Sequence, residues 1–271
     1  MASRFPFPIR NAGLVLAGAL ASGAWGAGVL CQSPENSAAA GSSTQSQPVL
    51  VELFTSEGCS DCPPADALLE LIDAKQFVPG ARVIVLSEHV TYWDRLGWRD
   101  PFSLDAVTER QQRYEEHFKL DSSYTPQMVV DGAAQFVGSD RSKLSEAVAR
   151  AATIPKRQLT IADARLTDGA ASFSVHGDDS PGATLIAVLA QNATRSVVAR
   201  GENAGKTLHH VAVVRAIKEF GSKSTDGRPL RLAGVPSSGA DKAAGPLRLV
   251  VFLADRKTGR VVGVAEQTLS E

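Results

Sequence analysis

The chain has 271 residues, 44% of them hydrophobic, and its formal net charge is −1. This length and this hydrophobic content are typical of a globular protein with room for two domains of ordinary size. The charge is close to zero and the sequence has no basic stripe, which argues against a nucleic acid as partner.

Residues 1–30 have the pattern of a bacterial export signal. Arg4 and Arg10 precede an uncharged run, Ala12 to Leu30, that is rich in Ala, Gly and Leu, as in a signal peptide. The run is also about long enough to cross a bilayer, so an uncleaved N-terminal anchor is the alternative. We therefore expect a periplasmic or secreted protein that meets the membrane only through this segment, if the segment is not cleaved. Residues 31–48 are small and polar without periodicity, which predicts a disordered linker.

Two cysteines lie where a predicted strand leads into a predicted helix. An apolar run predicts a buried strand over 49–54, and apolar residues at helical spacing predict a helix from Pro63. Cys59 and Cys62 lie between them, at the helix N-terminus, where unpaired amides and the helix dipole stabilise a thiolate. A CxxC at such a turn predicts a redox-active pair, in which Cys59 reacts with a partner sulfur and Cys62 resolves the mixed disulfide. A purely structural disulfide and a metal site are the alternatives.

Two acidic residues bear on the chemistry of this pair. Asp61 lies between the cysteines, and its charge opposes thiolate formation. We therefore predict a less acidic Cys59 and a pair poised toward reduction or isomerisation. Glu52 lies seven residues before Cys59 and is a candidate proton relay to Cys62; the alternative is a strand-end glutamate that faces solvent.

The elements that follow complete a recognisable order up to residue 154. A second buried strand over 81–90, a helix from Ser103, a hairpin at Asp131–Gly132 and a last helix predict the order β-α-β-α-β-β-α. This is the order of the thioredoxin fold, which predicts an α/β thioredoxin-like domain over 49–154. We expect Thr125–Pro126 to be a cis bond beside the CxxC that offers backbone groups to a peptide substrate. The alternative is a trans proline that starts an edge strand.

His89, Trp93 and Asp94 cluster just after the second strand. They are candidates for the wall of a substrate cleft, with His89 as an acid–base helper. Alternatively, His89 joins Cys59 and Cys62 as a Cu(I) site, because two thiolates and an imidazole suit that ion. In a third interpretation the tryptophans cover the sheet and His89 pairs with Asp94.

From residue 155 the sequence pattern changes: apolar and polar residues alternate in segments that are separated by predicted turns. This pattern predicts a small all-β, sandwich-like domain over 155–271, with a role in packing or in partner binding. His209 and His210 are adjacent on a predicted strand and point to opposite faces, which argues against a two-histidine metal clamp.

Several segments together resemble a known family of secreted bacterial proteins, domain of unknown function 1223. The segments that carry the resemblance are ELFTSEGCSDCPPADALL, HVTYWDRLGWRDPF, TERQQRYEEHF, YTPQMVVDG, FVGSDR and GENAGKTLHHVAVVR. The resemblance covers most of the chain from Val49 to Gly263. It implies a thioredoxin-like first half with a CxxC at Cys59 and Cys62 and a β-rich second half, but it implies no substrate.

The sequence thus predicts an exported thiol–disulfide oxidoreductase that needs no cofactor and acts on an unknown protein partner. Two alternatives stay open. One is a Cu(I)-binding chaperone on the same scaffold, and the other is a non-catalytic binding module with a structural disulfide.

Overall fold

The computed structural model describes residues 46–178, 180–221, 224–234 and 246–269. The predicted signal peptide or anchor, and residues 31–45 of the predicted linker, lie outside the described residues. No helix in the described part of the chain combines the length and the apolar character that crossing a bilayer requires.

Eleven strands, three α-helices and one 3₁₀ helix make up the described residues. The helices are α1 (Pro63–Lys75), α2 (Asp105–Phe118) and α3 (Arg141–Ala152), and the 3₁₀ helix is Thr91–Leu96. The strands are β1 (Gln47–Thr55), β2 (Ala81–His89), β3 (Gln127–Val130), β4 (Ala134–Val137), β5 (Leu159–Thr167), β6 (Ala170–Gly177), β7 (Ala183–Val197), β8 (Thr207–Phe220), β9 (Leu230–Ala233), β10 (Leu247–Asp255) and β11 (Val261–Leu269).

The element order predicted up to residue 154 is confirmed. β1 pairs in parallel with β2 and antiparallel with β3, and β3 pairs antiparallel with β4. The β3–β4 hairpin turns at Asp131 and Gly132, whose φ angles are 49° and 58°, as expected for a tight turn with two left-handed residues. The Thr125–Pro126 peptide bond is cis, as predicted.

One mixed sheet of eight strands runs through both halves of the chain, in the order β11-β10-β7-β8-β2-β1-β3-β4. β8 joins β2 in parallel, with Ser87 opposite Val213. A second sheet, with the order β5-β6-β9, packs its apolar face against β7 and β10. The described residues belong to one compact unit. The predicted fold class, an α/β thioredoxin-like domain followed by a small all-β domain, is therefore wrong.

The error has a physical origin in β2. Eight of its nine residues are buried, and such a strand needs neighbours on both sides to satisfy its backbone amides and carbonyls. Periodicity identifies a buried strand but not the strands that pair with it. β8, more than a hundred residues later in the chain, is the second neighbour, so the sheet continues into the half that was assigned to a separate domain.

The helices cover the two faces of this sheet. Leu53 of β1 and Ala65 of α1 both lie within 3.0 Å of the position where Gly138 would carry a Cβ atom. The next residue back, Glu52, instead contacts Arg110 of α2. Because successive side chains of a strand point to opposite faces, α1 and α2 lie on opposite sides of β1.

A buried ion pair ties the chain after α3 to the centre of the sheet. Lys156 Nζ lies 2.7 Å from Asp131 Oδ2, and the two side chains are 2% and 6% exposed. The other carboxylate oxygen of Asp131 accepts from the amide of Leu50, and its carbonyl accepts from the amide of Val261. Burial raises the pKa of Asp131 although Lys156 opposes that shift. This pair fixes the β3–β4 turn against β1 and β11.

We expect Lys156→Met to lower the free energy of unfolding by about 3–5 kcal/mol, because it leaves the Asp131 carboxylate buried without its partner. Urea denaturation followed by circular dichroism measures this loss. Lys143→Met is the matched control, since Lys143 Nζ lies 3.4 Å from Asp140 in a largely exposed pair and such pairs contribute about 1 kcal/mol or less. Equal effects of the two substitutions would contradict the role given to Lys156.

Candidate functional site

The CxxC turn carries a disulfide at the start of α1. Cys59 is bonded to Cys62, and the turn is closed by hydrogen bonds from the Cys59 amide to Ser56 and from the Cys62 amide to the Cys59 carbonyl. Cys59 is 1% exposed and Cys62 is 0% exposed, whereas Ser60 and Asp61 between them are exposed. The predicted place of the pair, between a strand and a helix N-terminus, is confirmed. Both cysteines, however, lie beneath the surface.

A loop between β7 and β8, residues 198–206, covers this turn. Asn203 Nδ2 donates to the carbonyls of Glu57 and Cys59 at 2.8 and 2.9 Å. Glu202 Oε2 accepts from the Ser60 amide at 3.0 Å. We call this segment the covering loop. These three hydrogen bonds hold the covering loop against the CxxC turn.

The Glu57 side chain connects the CxxC turn to the rest of the site. Its carboxylate accepts from Trp98 Nε1 at 2.8 Å and from the hydroxyl of Ser196 on β7. His210 Nε2 of β8 lies 3.5 Å from the same carboxylate. The Glu57 amide donates to Asp100 at 2.8 Å. A single buried residue beside Cys59 thus contacts four other segments of the chain.

His210 is a buried cation between two carboxylates. Its Nε2 faces Glu57, and its Nδ1 lies 3.7 Å from Asp66, a residue of the first turn of α1 whose amide donates to the Cys62 carbonyl. Burial alone lowers the pKa of His210, but the carboxylates of Asp66 and Glu57 outweigh it and raise that pKa to about 10. Asp66 also accepts from Thr55 Oγ1 at 3.0 Å. The two carboxylates therefore favour the imidazolium form of His210, which lies between a residue of the CxxC turn and a residue of the first turn of α1.

His89 lies next to His210, with the ring centres 4.7 Å apart. Its Nδ1 is 2.7 Å from Asp100 Oδ2 and its Nε2 is 3.2 Å from Ser87 Oγ. Burial raises the pKa of Asp100, but the charge of His89 and several hydrogen bonds lower it below its ordinary value. Ser87, His89 and Asp100 are hydrogen-bonded in the order of a catalytic triad. Ser87 is only 1% exposed, so no substrate carbonyl reaches its hydroxyl in this structure.

Trp93, a candidate for the wall of a cleft, lies next to Gly58 of the CxxC turn and is hydrogen-bonded to Thr125. Trp93 Nε1 donates to Thr125 Oγ1 at 2.8 Å. Trp93 Cβ lies 3.3 Å from the position where Gly58 would carry a Cβ atom, which leaves little room for a side chain there. Pro126 and Ala65 of α1 pack together around Gly138. Trp93 thus links the CxxC turn at Gly58 to the residue that precedes the cis proline.

Asp94 has a different place from the one its sequence position suggested. It accepts from the Asp100 amide and from the hydroxyl of Ser103, so it fixes the loop after the 3₁₀ helix. The carboxylate hydrogen-bonded to His89 is that of Asp100, not that of Asp94.

The groups proposed for a metal site are engaged elsewhere. The sulfurs of Cys59 and Cys62 are bonded to each other, and both nitrogens of His89 face hydrogen-bonding partners. No three His, Cys, Asp or Glu side chains within the described ranges are placed to hold a metal ion. A Cu(I) site would require a reduced pair and an imidazole released from Asp100.

Glu52 lies on the opposite face of β1 from α1. Its carboxylate accepts from Arg110 Nε and, at 2.6 Å, from the hydroxyl of Tyr114 on α2. Burial raises the pKa of Glu52, but Arg110 outweighs this and lowers it below the ordinary value. The neighbouring Glu88 is fully buried, and neither of its oxygens has a hydrogen-bond partner among the described residues. Burial and then the charge of Glu52 raise the pKa of Glu88 well above its ordinary value, so the folded structure favours the neutral form of Glu88.

Comparison with known proteins places the chain in a family. The sequence profile of the family described as "protein of unknown function (DUF1223)" matches residues 50–253. The chain belongs to the DUF1223 family. No curated protein matches it. The crystal structure of a protein from Agrobacterium tumefaciens superposes with a TM-score of 0.58 at 24% sequence identity, covering 82% of this chain and 94% of that one. At this identity the similarity concerns the fold alone.

Sequence reasoning missed the part of this DUF1223 site that the second half of the chain supplies. Ser196, Asn203 and His210 all reach the CxxC turn or Glu57. The alternation of β8 does predict that His209 and His210 point to opposite faces, and His209 is exposed while His210 is buried. The motif GENAGKTLHH, which belongs to the family resemblance, was the available signal, since it contains Asn203 and His210.

We expect Glu88→Gln to stabilise the protein at pH 7 by about 1–3 kcal/mol. The pKa of Glu88 is raised in the folded state, so Glu88 loses its proton at a lower pH in the unfolded chain than in the folded protein. The free energy of unfolding therefore falls as the pH rises above 4.5, the ordinary pKa of this side chain. The amide cannot ionise, and its stabilising effect should therefore grow between pH 4 and pH 7. Urea denaturation across that range measures it. A gain that is independent of pH would contradict the assignment, and Glu146→Gln on the exposed surface of α3 is the control.

Proposed function

We propose that this protein is an exported thiol–disulfide oxidoreductase that uses Cys59 and Cys62 on a protein partner. The observation that carries the proposal is the set of buried ionisable groups formed by Glu57, Asp66 and His210, two of which come from the residues that flank the disulfide in the chain. Burying charges costs free energy, and a disulfide that only staples a turn needs none of them. The pKa of His210 is raised by its two carboxylate neighbours, and an ionisable group with a perturbed pKa near a cysteine pair is typical of a functional site.

The proposed chemistry is a two-step exchange. In the first step the Cys59 thiolate attacks a disulfide of the partner, forms a mixed disulfide and releases one partner thiolate. In the second step Cys62 attacks Cys59, which releases the second partner thiolate and re-forms the Cys59–Cys62 bond. Two electrons pass to the partner, and the reverse sequence passes them back. Export through residues 1–30 would place this exchange in an oxidising compartment, where such pairs work.

Access to the pair requires the covering loop to move. The loop is held to the turn by three hydrogen bonds from Asn203 and to Glu202, each of which contributes about 1 kcal/mol. An opening that costs a few kcal/mol leaves a small but usable open population. Trp93 and Thr125 would then border the exposed sulfur of Cys59.

The burial of the pair favours a second candidate function. Exposed fractions of 1% and 0% for the two cysteines suit a structural disulfide in a binding module, whose partner would contact other surfaces. The reduction potential separates the two functions. A value between about −120 and −270 mV is that of working oxidoreductases, whereas structural disulfides lie below about −300 mV. Equilibration of the folded protein with dithiothreitol buffers, followed by thiol trapping and mass spectrometry, measures it.

We expect Cys62→Ser to accumulate a mixed disulfide with glutathione at Cys59 when it is treated with oxidised glutathione. The resolving thiol is missing, so the intermediate cannot collapse. Intact mass spectrometry detects the adduct, and the Cys59→Ser variant is the control, because Cys62 is fully buried and should react more slowly. Failure of Cys59 to form an adduct in the folded protein would favour the structural disulfide.

We expect Asn203→Ala to speed reduction of the disulfide by dithiothreitol about tenfold. The loss of its two hydrogen bonds, at about 1 kcal/mol each, lowers the free energy needed to open the covering loop by about 1–2 kcal/mol. Asn192→Ala is the matched control, because Asn192 also lies on the β7–β8 side of the protein but contacts Arg248. Equal rates in all three proteins would show that the covering loop does not limit access.

A further inference from the structure

We infer that electrons leave this protein through Cys59 and Cys62, so that the reduced pair acts as a reductant of disulfides in exported partner proteins. The inference rests on the proposed function and adds the direction of electron flow. It comes from the start of α1, which presents almost no hydrogen-bond donors to a thiolate. A thiolate that is not stabilised makes the dithiol less stable relative to the disulfide, and such pairs are reducing.

The first two residues of α1 are Pro63 and Pro64. Proline has no amide hydrogen, and the positive end of a helix dipole consists largely of the unpaired amides of the first turn. Two of those amides are therefore missing beside Cys62. The sequence alone suggested that the helix N-terminus would lower the pKa of a thiol, but this helix begins with the residues that contribute least to such an effect.

The remaining amides of the turn are occupied. The Ser60 amide donates to Glu202, and the Cys62 amide donates to the Cys59 carbonyl. The amides of Ala65 and Asp66 both donate to the Cys62 carbonyl. Among the described residues, Asp61 has the one amide between 60 and 66 without a partner, and it also carries a carboxylate.

The charges around the pair act in the same direction. Glu57 and Asp61 flank Cys59 in the chain, Asp66 lies one helical turn after Cys62, and Glu202 is bound to the amide of Ser60. Opposing them are His210, which is shared between two of these carboxylates, and Lys206, whose Nζ contacts Asn203. The charge of Asp100, which is bound through its carboxylate to the Glu57 amide, is paired with His89. The balance is negative, and a like charge disfavours the thiolate.

The reaction that follows is balanced without a cofactor. The protein dithiol gives two electrons and two protons to a partner disulfide, becomes the Cys59–Cys62 disulfide and leaves the partner as a dithiol. An upstream dithiol donor must then reduce Cys59–Cys62 by the same exchange. The substrate class is therefore a disulfide in an exported protein, and the donor class is a dithiol of lower potential.

The test uses the full chain and two single-residue variants whose changed residues are exposed, Pro64→Ala and Glu202→Gln. Pro64→Ala restores an amide at the second position of α1, and Glu202→Gln removes the charge at Ser60. Thiolate absorbance at 240 nm gives the ionisation of the reduced pair against pH. In the wild type we expect no thiolate at pH 7, and in each variant we expect the first thiol ionisation constant to rise about three- to tenfold.

Two substitutions are matched controls. Pro79→Ala removes an exposed proline from a distant turn, and Glu70→Gln removes an exposed charge two turns along α1. Both should leave the thiol ionisation unchanged. A wild-type thiolate that is already formed at pH 7, or variants that titrate like the wild type, would overturn the inference.

The glutathione equilibrium of the wild type separates this inference from the proposed function. In about 5 mM glutathione with a hundredfold excess of the reduced form, a reducing pair stays mostly disulfide, whereas dithiothreitol converts it to the dithiol. A pair that becomes dithiol in the glutathione buffer is an oxidant, which overturns the direction and leaves the oxidoreductase intact. A pair that exchanges with neither reagent while the protein is folded removes both proposals.

Discussion

The site depends on one buried carboxylate, that of Glu57. A charged group without water is costly unless every oxygen is engaged. Trp98 from the loop after β2 and Ser196 from β7 each donate to one oxygen, and His210 from β8 lies 3.5 Å away as the opposite charge. The backbone of the same residue binds Asp100 and Asn203. Glu57 lies two residues before Cys59, so the protein groups that bind Glu57 also fix the position of the CxxC turn.

The continuous sheet is what makes this arrangement possible. β8 joins β2 at Ser87, and the two residues that follow Ser87 point to opposite faces of the sheet. His89 meets His210 on the side of α1, while Glu88 lies near Arg110 on the side of α2. The seam between the two halves of the chain thus carries buried ionisable groups on both faces. A separate β domain would have no means of placing His210 beneath a helix of the first half.

Periodicity and turn residues in the sequence predicted the local structure correctly, but they did not predict which distant strands pair with each other. The strand-to-helix position of Cys59, the turn at Asp131–Gly132 and the burial of His210 opposite an exposed His209 follow from periodicity and turn chemistry. The union of β2 with β8 does not, because the partner of a buried strand is decided by shape and burial across more than a hundred residues of chain. For the same reason Trp93 was a candidate for the wall of a cleft, whereas Asn203 was not a candidate at all.

The N-terminus of α1, which follows Cys62, departs from the general rule that helix N-termini stabilise anions. A helix N-terminus favours an anion because its first amides lack partners. In α1 two of these amides are replaced by proline, and the carbonyl of Cys62 accepts from the next two. The chain around the pair supplies carboxylates, of which Glu202 belongs to the covering loop and accepts from the Ser60 amide. In the proposed exchange the covering loop would therefore have two effects: it would limit access to the pair and make the thiolate less favourable. Both effects would slow exchange with small thiols and favour a protein partner that displaces the loop.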